Sequence, residues 1–331
     1  RPRDDDGKPG GLVRLHDGLV FILPDLHART ALLSDVLESE VPGTNLNLAE
    51  LMAAEKASLV CLGDVLHTEG AEAAARWEKA ARRALSGARD GSRGDWGLMG
   101  PEMEEEMGYS LKTLALAAGL QAAFPGRFIC LKGNHDNMCN RSDHGDQPFY
   151  KYANEGSMGA AWFRERYGLE LCELVRAYEL CLPLLAAGRD FCASHAEPGR
   201  PLQIDDLVKR HGEAEIGYSL IWTRNGEAEP GALAASMESI LGAPSGTRRR
   251  LWAVGHTALS HTHALRGDGL LQIHSRCRRQ VLALWNGFDS DSPAEAVALG
   301  GFPLPGIFAI LPGGRLSDFI RLSLDRIGTS V

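Results

Sequence analysis

Short continuous apolar runs alternate along the chain with polar stretches, and each run ends at glycine, proline or a polar residue. A run of roughly four to eight apolar residues is typical of a strand buried on both faces of a sheet. Five such runs predict strands, at 19–23, 59–62, 128–131, 190–194 and 251–254. Helical periodicity covers about 29–37, 71–85, 101–124, 156–167 and 169–182. Three later runs, separated by turn residues, predict successive antiparallel strands at 270–273, 281–285 and 307–311.

Strands that alternate with helices predict an α/β (α+β) fold. Residues 1–10 are charged and rich in chain breakers, so we expect a loose leader. No composition break divides the rest, and residues 11–331 are predicted to form a single domain. Two helical insertions, at about 70–125 and 137–182, are expected to make a cap over the functional site.

Composition narrows the classes of partner. The formal charge of −8 provides no global field that would attract nucleic acid or acidic membranes, so no stable nucleic-acid partner is expected. No uninterrupted apolar stretch reaches roughly 18 residues, so no membrane span is predicted. The seven cysteines include no CxxC pair, which favours a reducing, cytoplasmic compartment. Because the chain starts at Arg1 rather than Met, a removed signal peptide stays an alternative.

Side chains that bind metals follow all five apolar runs. In open α/β sheets ligand sites lie outside the carboxyl ends of the strands, so these five segments are expected to converge. Carboxylate, imidazole and amide oxygen together suit Mn²⁺, Fe or Zn²⁺ better than a metal that prefers thiolates. The candidate ligands are Asp25, His27, Asp64, Asn134, His195 and His256.

A two-metal centre is the chemistry that this set predicts. Asp64 is central in the set and is the candidate bridge between two ions. Such ions lie roughly 3.5–4 Å apart, lower the pKa of a bridging water and hold the oxygens of an in-line displacement. Hydroxide between the ions would be the nucleophile. His135 is the candidate general acid for the leaving group, and Asp136 could orient its imidazole.

The segments PDLH, GDxxH, GNHD, SHAE and GHT resemble the five motifs of the calcineurin-like metallophosphoesterases. The resemblance implies a central β-sandwich of mixed sheets flanked by helices, with two divalent or trivalent metal ions at one edge. By matching positions it gives Asp25, His27 and Asp64 to the first ion, and it makes His135 with Asp136 the general-acid pair. Asp64, Asn134, His195 and His256 would hold the second ion. Trp222-Thr223-Arg224 and the run GNHDNMCN also resemble the phosphoprotein-phosphatase branch, particularly its Shewanella-like group.

The second and fifth motifs depart from that branch. His67, Thr68 and Glu69 stand where the branch has Asp, Arg and Gly, so the arginine that grips the substrate phosphate is missing. The fifth motif has Ala258 in place of a second His, which would leave the first ion with three protein ligands.

Other residues of the sequence could bind the phosphate. Arg224, Arg276 and Arg29 are the candidates to replace the missing arginine, since a guanidinium binds phosphate bidentately. His67 either contacts the phosphate or metal-bound water, or caps the following helix. His274 with Arg276 either joins the site as substrate contacts or ends a solvated strand.

The function predicted from the sequence is a metal-dependent phosphomonoesterase. Its substrate would be a phosphorylated small molecule, a nucleotide or a phosphoprotein. A phosphodiesterase or nucleotide hydrolase on the same site is the alternative, because a diester carries less charge to neutralise. A non-catalytic scaffold is the remote alternative.

Overall fold

The computed structural model describes residues 1–89, 98–243, 250–276, 278–287 and 306–322. The strands are β1 (Leu12–Arg14), β2 (Gly18–Leu23), β3 (Glu40–Val41), β4 (Leu46–Asn47), β5 (Ala57–Cys61), β6 (Phe128–Cys130), β7 (Leu185–Ala187), β8 (Phe191–Ser194), β9 (Leu251–Val254), β10 (Ala264–Arg266), β11 (Leu270–Gln272), β12 (Gln280–Asn286), β13 (Gly306–Leu311) and β14 (Arg315–Arg321). The helices are α1 (Thr30–Glu38), α2 (Leu48–Ala53), α3 (Ala71–Arg89), α4 (Pro101–Ala123), α5 (Glu155–Leu180), α6 (Ile204–Val208), α7 (Ala214–Ile221) and α8 (Ala232–Leu241).

The strands form two mixed sheets. The larger sheet has the order β4-β3-β14-β13-β12-β2-β5-β6, and the smaller has the order β1-β7-β8-β9-β11-β10. Within the larger sheet β2, β5 and β6 run parallel, and within the smaller sheet β8, β9 and β11 run parallel. Of the three late strands, β12 and β13 pair antiparallel as predicted, whereas β11 joins the other sheet parallel to β9. Among the described strands, β11 pairs antiparallel only with β10, so the prediction that it is followed by β12 and β13 as successive antiparallel strands is wrong for β11.

The two sheets pack face to face. Alternate side chains of β2 and β5, such as Val20, Ile22 and Val60, meet Ala193 of β8 and Ala253 of β9 in one buried cluster. The opposite faces are covered by helices, with α1, α2 and α4 on the larger sheet and α6, α7 and α8 on the smaller. The expected β-sandwich of mixed sheets flanked by helices is confirmed.

The helices α3, α4 and α5 share a separate apolar cluster that includes Trp77, Met107 and Trp162. Pro101 occupies the first turn of α4, where its missing N–H is not needed. The two helical patterns predicted around residue 168 form one helix, α5, which is interrupted at Gly168 with a φ of 85°. These helices lie within the two ranges in which we expected insertions.

The first ten residues are less loose than expected. Arg3 forms an isolated bridge with Pro9, and the Arg1 guanidinium donates hydrogen bonds to the carbonyls of Gly10 and Cys181. The breakers in this segment therefore make a turn that packs on the domain. Among the residues described here, no helix is long and apolar enough to cross a membrane.

A buried ionic network fastens the segment after β6 to α5. Lys132 Nζ lies 3.1 Å from Asp146 Oδ1, and the Arg176 guanidinium binds the other oxygen of the same carboxylate. Asp146 is fully buried, and Lys132 and Arg176 are 3% and 4% exposed. Two buried cations thus share one carboxylate.

Asp146→Asn is expected to lower the free energy of unfolding by about 3–5 kcal/mol, because it leaves two buried cations without their shared counter-ion. Urea unfolding of the purified protein measures it. The matched control is Asp143→Asn. Asp143 binds the same guanidinium with a side chain that is 56% exposed, and its loss should cost less than about 1 kcal/mol. Equal effects of the two substitutions would contradict this account.

Candidate metal centre

Six strand ends deliver the polar side chains of the site. Because parallel strands end at the same edge of a sheet, β2, β5 and β6 bring one group of side chains together, and β8, β9 and β11 bring another. The face-to-face packing of the sheets then joins the two groups. In chain order the residues that follow these strands are Asp25, Asp64, Asn134, His195, His256 and His274.

Glycines permit the close approach of these loops. A Cβ on Gly133 would lie 2.2 Å from Asp64 Oδ1, and a Cβ on Gly255 would lie 1.8 Å from Asp25 Oδ1. Either distance is a severe overlap, so only glycine fits before Asn134 and His256. Several non-glycine residues here also have positive φ, among them Asp64 at 51° and His256 at 58°. Such backbone strain is concentrated at functional sites.

The first donor set surrounds the imidazole of His27. Its Nε2 lies 4.0 Å from Asp25 Oδ2 and 3.7 Å from Asp64 Oδ2. Its Nδ1 lies 3.1 Å from the carbonyl oxygen of His67, so Nδ1 carries the proton and Nε2 has a free lone pair. This tautomer is the one a metal ligand needs.

The second donor set is more compact. Asn134 Oδ1 lies 2.9 Å from both His195 Nε2 and His256 Nδ1, and the two histidine nitrogens are 3.1 Å apart. Asp64 Oδ1 lies 3.5 Å from His195 Nε2. His195 Nδ1 donates to the carbonyl of Leu62 at 2.8 Å, which again leaves Nε2 unprotonated. One carboxylate, Asp64, therefore touches both sets through different oxygens.

Burial makes this cluster costly without a cation. Burial raises the pKa of Asp25, and burial followed by repulsion from Asp25 and Asp136 raises the pKa of Asp64 well above its ordinary value. Burial also lowers the pKa of His27 and His195 well below the usual range and that of His256 to about 4. The imidazoles are thus neutral near pH 7, as metal ligands must be.

Unpaired atoms show that the donor set fits a cation. Asp25 Oδ1 is buried without a hydrogen bond, and so are both ring nitrogens of His274. Buried polar atoms are normally paired, so orphaned lone pairs in one cluster need a partner that the protein does not supply. Grouped metal-competent atoms recur here as Asp25–His27–His274, His27–Asp64–His135 and Asp25–Asp64–His195.

His135 lies over the first donor set. Its backbone N–H donates to Asp64 Oδ1 at 2.8 Å, and its Nε2 lies 3.9 Å from Asp64 Oδ2. The ring of Phe149 covers its other side with centroids 4.5 Å apart. The side chain is 12% exposed, so it reaches the cleft from a fixed position.

Asp136 does not orient that imidazole. Its carboxylate accepts hydrogen bonds from the backbone N–H groups of Asp64, Val65 and Gly133, at 3.0, 2.8 and 2.8 Å. The expectation that it pairs with His135 is wrong, because both of its oxygens bind backbone instead. Asp136 therefore holds the loop after β5 and the loop after β6 together.

Two further expectations need correction. His67 is 3% exposed and packs against Trp77 and Phe149, so its side chain is enclosed by aromatic rings rather than open to solvent. His274 is 1% exposed and lies among the donor atoms of the first set rather than in a solvated turn or on the substrate side. Burial lowers the pKa of His67 to about 3, which keeps it neutral behind the site.

A cleft of about 430 Å³ opens onto the two donor sets. Arg224 and Arg276 both line it, and their contact with a substrate stays a prediction. Arg29 instead donates to the carbonyls of Leu26 and Asp25, so its guanidinium is engaged in the loop. Thr68, at the position of the missing arginine, is tied to Glu106 of α4 through its backbone N–H and its hydroxyl.

The sequence did not reveal three residues of the cleft. Glu69 was noted only as an added negative charge, yet its carboxylate lies 3.5 Å from His27 Nε2. Lys151 forms an ion pair with Glu69, and Phe149 covers His135. The feature of the sequence that could have indicated a role for Glu69 is its position in the second motif. Residues 149–151 lie in a segment without periodicity, and their sequence does not indicate that they line the cleft.

No family model matches this sequence, and no curated protein matches it either. Solved structures do match. One is a protein serine/threonine phosphatase from Saccharomyces cerevisiae with similarity to a human phosphatase; it is 13% identical over 85% of this chain and 78% of that chain, with a TM-score of 0.49. Another is a putative diadenosine tetraphosphatase, 14% identical over 94% and 97% of the two chains, with a TM-score of 0.41. A cold-active protein-tyrosine phosphatase of a psychrophile Shewanella sp. is 13% identical over 84% and 78%, with a TM-score of 0.37. At such low identities and TM-scores these likenesses assign no activity to the chain.

Proposed function

We propose that this chain is a dinuclear metal-dependent phosphoesterase that hydrolyses phosphomonoesters. The observation that carries the proposal is the double contact of Asp64. Its Oδ2 faces His27 and its Oδ1 faces His195, at 3.7 and 3.5 Å. A carboxylate between two sets of neutral imidazole and oxygen donors is the arrangement of a bridging ligand, and Mn²⁺, Fe or Zn²⁺ suits such donors.

The residues divide into two sets around that bridge. Asp25, His27 and Asp64 would hold one ion; Asp64, Asn134, His195 and His256 would hold the other. When bound, such a pair polarises phosphoryl oxygens and lowers the pKa of a water. The unpaired lone pairs of Asp25 and the neutral tautomer of His27 support this assignment.

His135 is the proton donor in this proposal. Its imidazole faces the cleft beside Asp64, and its backbone hydrogen bond to that carboxylate fixes the loop that carries it. A proton delivered to the leaving oxygen accelerates cleavage most where that oxygen is strongly basic. The rigid contact with Phe149 keeps the ring directed to the reacting group.

Arg224 and Arg276 are the candidate phosphate contacts. Both are exposed at the cleft, and a guanidinium binds two oxygens of one phosphate. Their side chains belong to different loops, one after α7 and one after β11. A phosphoryl group between them would be held from two sides.

A phosphodiesterase or nucleotide hydrolase is the second candidate function. Glu69 contributes a negative charge beside the first donor set, and Thr68 replaces the arginine that related enzymes use. A dianionic monoester is repelled by that carboxylate more than a monoanionic diester is. The charge at position 69 is therefore the observation that favours the alternative.

The test is hydrolysis of p-nitrophenyl phosphate and bis(p-nitrophenyl) phosphate by the purified chain before and after metal removal. We expect turnover of the monoester to fall at least about a hundredfold on chelation and to return when Mn²⁺, Fe²⁺ or Zn²⁺ is added back. Faster turnover of the diester would select the alternative function. Full activity in protein shown by elemental analysis to lack metal would overturn both.

A further inference from the structure

The carboxylate of Glu69 lies against the first donor set. Its Oε2 is 3.5 Å from His27 Nε2 and 3.4 Å from His274 Nε2, while Oε1 is ion-paired with Lys151. The side chain is only 10% exposed. A glutamate on the surface would extend into water, whereas the contacts of Glu69 hold its carboxylate against the first donor set.

His274 is the second unusual group. It is 1% exposed, and neither ring nitrogen makes a hydrogen bond. Its Nδ1 lies 3.8 Å from Asp25 Oδ2 and its Nε2 faces Glu69. A buried imidazole without partners costs free energy comparable to a lost hydrogen bond on each nitrogen. A cation among these atoms would remove that cost.

We propose that Glu69 and His274 are ligands of the first metal ion, which gives that ion five protein ligands rather than three. The inference rests on the dinuclear site proposed above. Donor atoms about 2.0–2.2 Å from a shared ion lie roughly 3–3.6 Å apart. The spacings around Glu69 are in this range, and a contraction of a few tenths of an ångström would bring Asp25 and Asp64 into it.

The consequence is an asymmetric centre. Three carboxylates, those of Asp25, Asp64 and Glu69, surround the first ion, and few coordination positions remain there for water or substrate. The second set has one shared carboxylate, one amide and two imidazoles, and it faces the cleft beside Arg224. A fully ligated site is held tightly and an open site takes up substrate. The coordination positions open to a phosphate are therefore chiefly those of the second ion, while Arg224 and Arg276 contact the phosphate from its two sides.

Lys151 has a positioning role in this arrangement. Its ammonium binds the Glu69 oxygen that does not face His27, so the carboxylate presents its other oxygen to the ion. The ammonium of Lys151 also lies over the Tyr152 ring, 5.8 Å from its centroid. The cleft wall at residues 149–152 is thus joined to the first ion through one ion pair.

The test measures metal affinity rather than activity. Metal-stripped protein is titrated with Zn²⁺ in competition with a chromophoric chelator, and elemental analysis counts the ions retained. Loss of an outer-shell partner typically costs 10–100-fold in metal affinity. We therefore expect Glu69→Gln and His274→Asn each to weaken one of two sites by more than about a hundredfold and to leave the other site unchanged.

The matched controls are Glu72→Gln, at an exposed glutamate three residues after Glu69, and His261→Asn, at an exposed histidine. Both should bind two ions with the affinities of the unmodified chain. Circular dichroism of the metal-free variants checks folding, and Glu69→Gln, at a partly open position, keeps the test valid if His274→Asn unfolds.

The outcomes separate the two proposals. A change of less than about a hundredfold in both variants would overturn the ligand roles of Glu69 and His274 while leaving the dinuclear site intact. An unmodified chain that binds no Zn²⁺ would overturn the dinuclear site itself. Binding of two ions to the unmodified chain and of one to each variant supports both.

Discussion

Asp64→Asn is expected to reduce the turnover of an aryl phosphate by at least about a thousandfold, roughly 4 kcal/mol of barrier. Asn keeps the shape of the side chain but offers no charge to share between two cations. Because Oδ1 and Oδ2 of Asp64 face different donor sets, the substitution weakens both sites at once. Steady-state kinetics with added Mn²⁺ and elemental analysis of the same preparation measure the two losses.

The fold should survive this substitution. In the metal-free protein, burial and then repulsion from Asp25 and Asp136 raise the pKa of Asp64, so an uncharged isostere relieves repulsion. Thermal unfolding without metal should therefore be unchanged or shifted upward. Asp205→Asn, an exposed carboxylate on α6, is the control for activity. Two bound ions and normal kinetics in Asp64→Asn would remove the basis of the proposed mechanism.

Most of the fold could be predicted from the apolar runs that end in polar residues. The runs at 19–23, 59–62 and 251–254 correspond to β2, β5 and β9, and each is buried on both faces. A strand covered on both faces requires helices or a second sheet, and the alternation with helical periodicity supplied both. The convergence of five segments followed because parallel strands end at a common edge.

The end of β11 is the strand end that could not be placed at the site from the sequence. His274 follows Gln272 by two residues, the same offset that separates His256 from Val254 and Asp25 from Leu23. This offset can be read from the sequence, but the direction of β11 in its sheet cannot. A strand of three residues pairs equally well in either orientation as far as its sequence tells, and only its parallel register with β9 brings His274 to the site.

The contacts of Asp136 and Glu69 could not be predicted from the sequence for a related reason. Neighbours in sequence suggested that Asp136 serves His135, yet its carboxylate binds backbone N–H groups of a loop that is seventy-odd positions away. The sequence shows Glu69 only as a departure from the second motif, whereas its ion pair is with Lys151 in the second inserted segment. Contacts of this length depend on packing that single-sequence patterns do not encode.

His135→Asn is expected to lower kcat by about 10²–10⁴-fold for phenyl phosphate but only slightly for 2,4-dinitrophenyl phosphate. The poor leaving group needs a proton as the bond breaks, whereas the good one departs as an anion. The number of bound ions should stay at two, because His135 is not among the ligands proposed for either ion and reaches Asp64 only with Nε2 at 3.9 Å. Rates on both esters and elemental analysis are the measurements.

Asp136→Asn distinguishes a proton donor from its supposed partner. If Asp136 acted through the imidazole, its substitution would reproduce the dependence on leaving group seen for His135→Asn. Its oxygens instead accept from Asp64, Val65 and Gly133, so Asn can keep at most part of those bonds and the loops shift. We therefore expect Asp136→Asn to slow both esters alike and to weaken metal binding. If Asp136→Asn slowed only phenyl phosphate, Asp136 would take part in proton transfer after all. If His135→Asn slowed both esters equally, His135 would not be the proton donor.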